Sequence, residues 1–191
     1  MSRWSRIRTA ALTASSLAAV AACAPVYSES APPASGAAAI VRQAPTPLVR
    51  ALETLVWPLA ADGSALLRSR YGNRLHPLGG DPRFHTGLDL RAPLGTPVYA
   101  SADGTVSASE SSGAYGNVVI LDHAGGLQTL YAHHQRNLVG VDDRVRRGQP
   151  IALVGHTGNA TGDHLHFEVR WNGGTVDPRT VLPLLSGTVA R

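Results

Sequence analysis

The sequence has no lysine and a single cysteine, Cys23, among its 191 residues. A single thiol excludes a disulfide framework within the chain and any zinc module built from several cysteines. Because the composition is rich in alanine, we attribute the use of arginine alone to codon bias rather than to chemistry. Aromatic residues are scarce at 5%, whereas glycine is abundant at 20 residues. This balance favours a turn-rich β architecture over a helical bundle.

The chain also has little net positive charge when its first eight residues are left out. The chain has a net charge of +4, but Arg3, Arg6 and Arg8 lie in a segment that we expect to be removed. Without them the net charge is about +1, far below what binding to a phosphate backbone requires. The sequence therefore predicts no nucleic-acid partner.

The N-terminal segment has the pattern of an export signal. Its three arginines precede an alanine-rich apolar stretch, residues 10–22, which is too short and too weakly apolar to span a bilayer. The stretch ends in Val20-Ala21-Ala22-Cys23, which resembles the lipobox of bacterial lipoproteins, whose cysteine is acylated and becomes the new N-terminus. Residues 1–22 are thus predicted to be a signal peptide, with Cys23 lipidated. The alternative is ordinary cleavage near Ala22, with Cys23 incidental.

Lipidation at Cys23 implies a membrane partner. Several acyl chains on one cysteine anchor a protein stably, whereas a single chain does not. The resemblance therefore implies an exported lipoprotein of the cell envelope. Ala24 stands where an aspartate commonly retains lipoproteins in the inner membrane. In an organism with two membranes, the expected location is the periplasmic side of the outer one.

Composition divides the rest of the chain into three parts. Residues 23–56 are rich in Ala, Pro and Ser without a sustained apolar period, which predicts a flexible tether after the lipidated cysteine. From residue 57 to 185, short apolar runs alternate with Gly, Pro, Asp and Asn, as in a folded domain. Residues 186–191 are assigned to a C-terminal tail.

Six segments of this domain have the pattern of β-strands and are separated by turn residues. No helical period lies between them, so the sequence predicts an all-β fold of antiparallel strands. The segments are residues 97–100, 104–108, 117–122, 127–133, 150–154 and 164–171.

The last of these strands, HLHFEVR at residues 164–170, alternates polar and apolar residues without a break. Successive side chains on a strand point to opposite faces, so the apolar residues face the core and His164 and His166 project together from the other face. A rigid strand is a suitable platform for a site that needs accurate placement. Glu168 points the same way, and we interpret it as a hydrogen-bonding or packing partner rather than a general base.

Further histidines accompany this pair. His85 and Asp89 lie four residues apart in a segment whose Gly87 disfavours a helix, and His133 ends another predicted strand. Two imidazoles and a carboxylate form a common catalytic zinc set, with a fourth position for water. Zinc accepts nitrogen and oxygen ligands together, which calcium and magnesium sites do not favour. Each histidine alone is more often a solvated side chain, but their joint presence in one exported domain favours a zinc site.

Six motifs give the domain a family resemblance that extends over roughly residues 57–180. The chain resembles the lysostaphin and LytM-type zinc endopeptidases of cell-wall peptidoglycan, with the motifs in that family's order and spacing. The motifs are YGNRLHP (71–77), HTGLDL (85–90), PLGTPVYA (93–100), YGN (115–117), YAH (131–133) and GHTGNATGDHLHFE (155–168). Asp163 departs from the family, where proline is commoner before the His-Leu-His strand.

The resemblance implies a fold and roles for five residues. The fold is the antiparallel β-sheet or sandwich of the LytM type (duplicated hybrid motif), with a zinc groove that holds one zinc ion. The family's zinc ligands correspond to His85, Asp89 and His166, and its two catalytic histidines to His133 and His164.

Other positions receive weaker assignments from the same resemblance. Asn73, Arg74 and Tyr131 are predicted to line the substrate groove, and Arg74 has a structural role as its alternative. The remaining histidines are interpreted as surface residues or as supports of the site; they are His76, His123, His134 and His156.

The implied function is hydrolysis of peptide cross-links in peptidoglycan, whose peptide stems would be the substrate. Two alternatives remain open. In one, the chain is a non-enzymatic LytM-like activator whose partner is a cell-wall amidase, although such regulators typically lack one or more zinc ligands. In the other, it is a structural lipoprotein that only holds peptide stems.

Overall fold

The computed structural model describes residues 52, 55–60, 66–75 and 82–183, and these form a β-sheet structure with three short 3₁₀ turns. The predicted signal peptide, Cys23, residues 184–191 and His76 lie outside the described residues. No helix among the described residues is long and apolar enough to cross a membrane.

Twelve strands make up the described sheets, and every pairing between them is antiparallel. The predicted antiparallel all-β fold is therefore confirmed, and all six predicted strands are present. The strands are β1 (Leu66–Ser69), β2 (Gly72–Leu75), β3 (Pro82–His85), β4 (Leu88–Arg91), β5 (Pro97–Tyr99), β6 (Gly104–Ser112), β7 (Gly116–Asp122), β8 (Leu127–Asn137), β9 (Arg144–Val145), β10 (Pro150–Val154), β11 (Leu165–Trp171) and β12 (Gly174–Val176).

Ten of the strands belong to one sheet in the order β1-β4-β11-β8-β7-β6-β9. Strand β10 pairs with both β5 and β8, and β12 pairs with β11. The hairpin of β2 and β3 forms a separate two-stranded sheet. The alternating strand predicted from HLHFEVR is β11, and it lies inside the sheet between β4 and β8.

The main hydrophobic core lies against one face of β11 and β8. Leu165, Phe167 and Val169 have no exposed surface, as period two predicts, and Tyr131 of β8 packs on Phe167 with ring centroids 5.3 Å apart. A smaller apolar cluster that includes Leu130 lies on the other side of β8. The sheet that carries the site is thus held by buried apolar contacts on both sides.

The core begins before residue 57, where the tether was expected to end. Leu52 and Leu55 are buried in the main cluster, and Val56 N–H donates to the Ser101 carbonyl over 2.9 Å. At the other end, Trp57 Nε1–H donates to the Pro183 carbonyl over 2.8 Å. The folded domain therefore includes apolar residues that composition alone assigned to the tether.

Two irregularities in strand pairing affect the region of the histidines. In β8, three steps from Tyr131 to His134 face two steps from Val119 to Asn117 on β7. In β1, two steps from Leu67 to Ser69 face one step on β4, so Arg68 is the additional residue. Such bulges change the direction of a side chain and are common beside active sites.

Candidate metal centre

Three buried side chains from three strands converge on one point. His85 ends β3, Asp89 lies on β4, and His166 lies on β11 directly opposite Asp89. Asp89 Oδ1 lies 3.1 Å from His85 Nε2 and 2.9 Å from His166 Nδ1, and the two nitrogens are 3.1 Å apart. Among the described residues these three form the one group whose ligand atoms are close enough to share a metal ion.

The outer hydrogen bonds of the two histidines fix which nitrogen faces this point. The Arg70 carbonyl can only accept, so His85 Nδ1, 2.8 Å away, carries a proton and its Nε2 presents a lone pair. His166 Nε2 donates to Glu168 Oε1 over 2.9 Å, which leaves its Nδ1 as the lone-pair nitrogen of the neutral ring. Two nitrogen lone pairs and a carboxylate oxygen therefore face one another, an arrangement that a cation stabilises.

The donor set fits zinc in both chemistry and spacing. Zinc binds histidine nitrogen and carboxylate oxygen in tetrahedral sites at about 2.0–2.2 Å, which places neighbouring ligand atoms roughly 3.4 Å apart. The three observed separations, 2.9 to 3.1 Å, lie within a few tenths of an ångström of that value. Small side-chain movements are enough to accommodate the ion.

Electrostatics around these residues also favours positive charge at this point. Burial raises the pKa of Asp89, but hydrogen bonds from His166 and His85 outweigh it and hold that pKa well below its usual range. Burial lowers the pKa of His166, but its hydrogen bonds to Asp89 and Glu168 raise it to about 9. Two carboxylates on opposite sides of one imidazole therefore attract positive charge to the ring: a proton when no metal is bound, or a metal ion that replaces this proton at Nδ1.

Glu168 supports His166 from behind and is itself held by several donors. Its Oε1 accepts from His166 Nε2, from the Thr86 hydroxyl at 2.5 Å and from the Tyr115 hydroxyl at 2.9 Å, and its Oε2 accepts from the Arg170 guanidinium. Burial raises the pKa of Glu168, yet the contacts with His166 and Arg170 lower it to about 2. The predicted supporting role of Glu168 is confirmed by this geometry.

A glycine makes this arrangement possible. A Cβ placed on Gly87 would lie 2.3 Å from the Phe167 carbonyl oxygen and 2.9 Å from Glu168 Cγ. The turn between β3 and β4 therefore approaches β11 more closely than any side chain permits. Gly87 lies between His85 and Asp89, so its contact with β11 sets the distance of both residues from His166.

Two further histidines border the convergence point, each with one basic nitrogen. His133 Nδ1–H donates to the Thr157 carbonyl over 2.8 Å, and His164 Nδ1–H donates to the Gly162 carbonyl over 2.7 Å. Each ring therefore keeps its Nε2 lone pair, and His164 Nε2 lies 3.8 Å from Asp89 Oδ1. The ring centroids of the two histidines are 4.7 Å apart.

Both histidines are neutral bases at neutral pH. Burial is the main cause that lowers the pKa of His133 to about 4, and the nearby His164 and His166 lower it further. Burial also lowers the pKa of His164. Each Nε2 can therefore accept a proton beside the buried ligand set.

The backbone of His133 has a conformation that few non-glycine residues adopt. Its φ is 66°, in the left-handed region, and it lies within the bulge of β8. Without the bulge, alternation along β8 would send His133 to the same side as Tyr131, into the main core. The additional residue instead places its imidazole beside His164.

The three predicted groove residues have different environments. Tyr131 is wholly buried: its hydroxyl accepts from Ser101 N–H at 2.8 Å, and it packs within the main core. The prediction that Tyr131 lines a groove is therefore wrong: alternation along β8 points Tyr131 into the main core, and the bulge in β8 turns His133 away from that core. Arg74 Nη2 lies 3.5 Å from Asp89 Oδ2 with its side chain 33% exposed, so it contacts the ligand set directly. Asn73 is exposed on β2, and its role stays a prediction.

The remaining described histidines lie apart from the centre. His156 is exposed and pairs with Asp163, and His123 bonds the Asp103 carbonyl and the Thr129 hydroxyl. His134 was expected at the surface or beside the site. It is wholly buried, where Nδ1 bonds Asn137 Oδ1 at 2.8 Å and Nε2 has no hydrogen-bond partner.

The sequence agrees with this geometry at the level of the family. Residues 83–178, which contain all five residues around the centre, match the sequence pattern described as Peptidase family M23. The chain belongs to peptidase family M23. The predicted relationship to lysostaphin-type peptidases is thereby confirmed.

Several relatives of this M23 chain are named as peptidases. It is 45% identical over 108 residues to the peptidoglycan DD-endopeptidase ShyC of Vibrio cholerae, an alignment that covers 56% of this chain and 25% of ShyC. The chain spans about a quarter of the length of curated relatives that it matches.

Solved structures of two bacterial peptidases share the fold. A zinc-containing peptidase from Vibrio cholerae is similar with a TM-score of 0.62 and 36% identity, over 69% of this chain and 41% of that one. The catalytic domain of lysostaphin from Staphylococcus simulans is similar with a TM-score of 0.57 and 30% identity, over 64% of this chain and 92% of that domain.

Proposed function

We propose that this M23 chain is a zinc-dependent endopeptidase that hydrolyses peptide cross-links of bacterial peptidoglycan. The observation that carries the proposal is the convergence of three donor atoms within 3.1 Å of one another, beside two neutral imidazoles. Peptidoglycan as the substrate is supported by the similarity to ShyC, whose name describes a peptidoglycan DD-endopeptidase.

The residues of this chain divide the chemistry among them. His85, Asp89 and His166 would hold the zinc ion, which when bound polarises a substrate carbonyl and makes water a better nucleophile at neutral pH. His133 and His164 border that position with unprotonated Nε2 atoms. One takes the proton of the attacking water on its Nε2, and that protonated nitrogen can then donate a hydrogen bond to the charge that develops on the carbonyl oxygen.

A non-enzymatic activator of a cell-wall amidase is the second candidate, and the ligand set argues against it. A protein that only binds an amidase has no need for three metal-ligand atoms beside two histidines whose pKa values are lowered. The same argument applies to a structural wall-binding protein. Zinc binding without hydrolysis would support either of these two candidates.

The decisive experiment follows the release of soluble muropeptides from purified sacculi by the zinc-loaded chain. We expect release by the native protein, no release after chelation, and no release by His166→Ala. Mass spectrometry of the products would identify the bond that is cut. If the native protein binds zinc but releases nothing beyond the His166→Ala control, the endopeptidase proposal is wrong.

We further propose that the chain is exported and anchored to a membrane through Cys23, which would bring it to its substrate. The support is the pattern of arginines, apolar residues and Cys23 near the N-terminus. Metabolic labelling with a fatty-acid analogue tests the anchor: the native chain should be labelled and membrane-associated, and Cys23→Ser should be neither. Equal labelling of both chains would contradict the proposal.

A further inference from the structure

Arg68 occupies a special position beside the metal centre. It is the additional residue of the bulge in β1, between Leu67, which pairs with Leu90, and Ser69, which pairs with Asp89. A residue in a bulge does not follow the alternation of its strand, so its side chain can be directed independently of its neighbours. The side chain of Arg68 is exposed.

The guanidinium of Arg68 is held at the segment that positions His164. Its Nη2 donates to the Thr161 hydroxyl over 3.1 Å, and its Nη1 would lie 3.8 Å from a Cβ placed on Gly162. The Gly162 carbonyl accepts from His164 Nδ1–H over 2.7 Å. Arg68 therefore places a positive charge on the rim of the centre, on the side of His164.

No carboxylate within the described part of the chain neutralises this charge. The ion pairs of those residues do not include Arg68, although Arg74 contacts Asp89 and Arg170 contacts Glu168. An exposed cation beside a reaction centre attracts anionic ligands and orients them.

The adjacent hairpin of β2 and β3 also carries positive charge. Arg74 of β2 and Arg83 of β3 lie directly opposite each other, so both project from one face of the hairpin. Like charges in that position repel, and an anion between them would relieve the repulsion. Strands β1 to β3 thus carry three arginines, Arg68, Arg74 and Arg83, in the segments that border His85 and Asp89.

We propose that Arg68 binds a carboxylate group of the substrate and makes the site selective for acidic peptides over neutral ones. The inference rests on the proposed endopeptidase function. A guanidinium suits this role because its planar fork of donors matches a carboxylate in two parallel hydrogen bonds. Arg68 is better placed than Arg74, whose guanidinium already faces Asp89.

Two substrates that differ only in charge test the proposal. One is a synthetic cross-linked peptide dimer with free carboxylates, and the other is the same dimer with those groups converted to carboxamides. For the zinc-loaded native chain we expect kcat/KM to be about tenfold or more higher for the acidic dimer, mainly through a lower KM. Added salt should reduce this preference because it screens an exposed charge.

Three variants test whether Arg68 causes the preference for the acidic dimer. Arg68→Gln should abolish most of the ratio between the two dimers, and Arg68→Lys should keep part of it because it retains the charge but not the fork. Arg144→Gln is the matched control, since Arg144 is an exposed arginine on β9 at the far end of the sheet. It should preserve the full ratio.

The proposal is overturned if the native chain cuts both dimers equally well, or if Arg68→Gln lowers kcat/KM for both by the same factor. Hydrolysis of neither dimer would instead refute the endopeptidase function. In that case the affinities of the native chain and of Arg68→Gln for the two dimers, measured by calorimetry, test whether Arg68 selects a carboxylate. Equal affinities for the acidic and amidated dimers would show that Arg68 does not select a carboxylate.

Discussion

His166 Nε2 donates to Glu168 Oε1 over 2.9 Å, while the other nitrogen of the same ring faces Asp89 Oδ1 at the same distance. A single imidazole thus lies between two carboxylates, one in the ligand set and one behind it. The second carboxylate orients the ring and makes its inward nitrogen a stronger ligand.

Removing the charge behind His166 should weaken zinc binding. Glu168→Gln keeps the shape of the side chain but loses the charge that four neighbouring groups contact, so we expect zinc affinity to fall about 10–100-fold. Competition with a chromophoric chelator measures the change. Glu110→Gln, at an exposed position of β6, is the control and should bind zinc like the native chain. Equal affinity of both variants would refute a supporting role for Glu168.

The two neutral histidines should be separable from the ligands by experiment. His133→Ala and His164→Ala each remove a base that does not belong to the ligand set, so zinc content should stay near one per chain while kcat falls about 10²–10⁴-fold. His166→Ala removes a ligand and should lose both zinc and activity. Metal analysis and muropeptide release measure the two properties together. Loss of zinc from His133→Ala would contradict the division of roles.

A methyl group on Gly87 should destabilise the domain. The added Cβ would overlap the Phe167 carbonyl, so β4 must move away from β11, at a cost of about 1–3 kcal/mol in the free energy of unfolding. Denaturant titration of Gly87→Ala measures this cost. Gly140→Ala is a suitable control because its Cβ would meet only Asp143 Oδ2 at 3.8 Å, an ordinary contact. Equal stability of the two variants would contradict the close approach.

Buried His134 should make the stability depend on pH. Burial lowers its pKa to about 4, against about 6.5 in an unfolded chain, so only the unfolded state binds a proton between these values. Stability should therefore decline as the pH falls from about 6.5 towards 4, by about 3 kcal/mol from this residue.

Comparing the metal-free native chain with His134→Asn isolates this contribution, because zinc release then adds nothing. The difference in the free energy of unfolding between the two proteins should change with pH below about 6.5 and stay constant above pH 7. A difference that is constant from pH 4 to 8 would show that His134 is protonated equally in both states.

The sequence predicted those features that follow from regular alternation. The HLHFEVR strand has the expected two faces, and its motif brings His164 and His166 to the side where Asp89 and His133 lie. Its polar face is nonetheless buried, because Tyr115 and Thr86 cover Glu168. The alternation of a strand does not show whether residues far away in the sequence will cover its polar face.

The features that were missed depend on irregular pairing. One additional residue in β8 separates the directions of Tyr131 and His133, which strict period two would place on the same face. A bulge in β1 likewise gives Arg68 its position. Neither bulge has a glycine or proline within it that could have signalled the irregularity. The residue wrongly assigned to the groove, Tyr131, therefore lies next to a change of strand register.

The contact between Trp57 and Pro183 has a consequence for how such a domain is used in larger proteins. Because the chain enters and leaves the fold at neighbouring points, the domain can be inserted into another polypeptide without stretching or crossing its strands. ShyC is about four times as long as its aligned segment, and lysostaphin's catalytic domain is matched over nearly its full length. Adjacent ends would allow the same fold to be joined to other domains on either side without a change in its strand pairing.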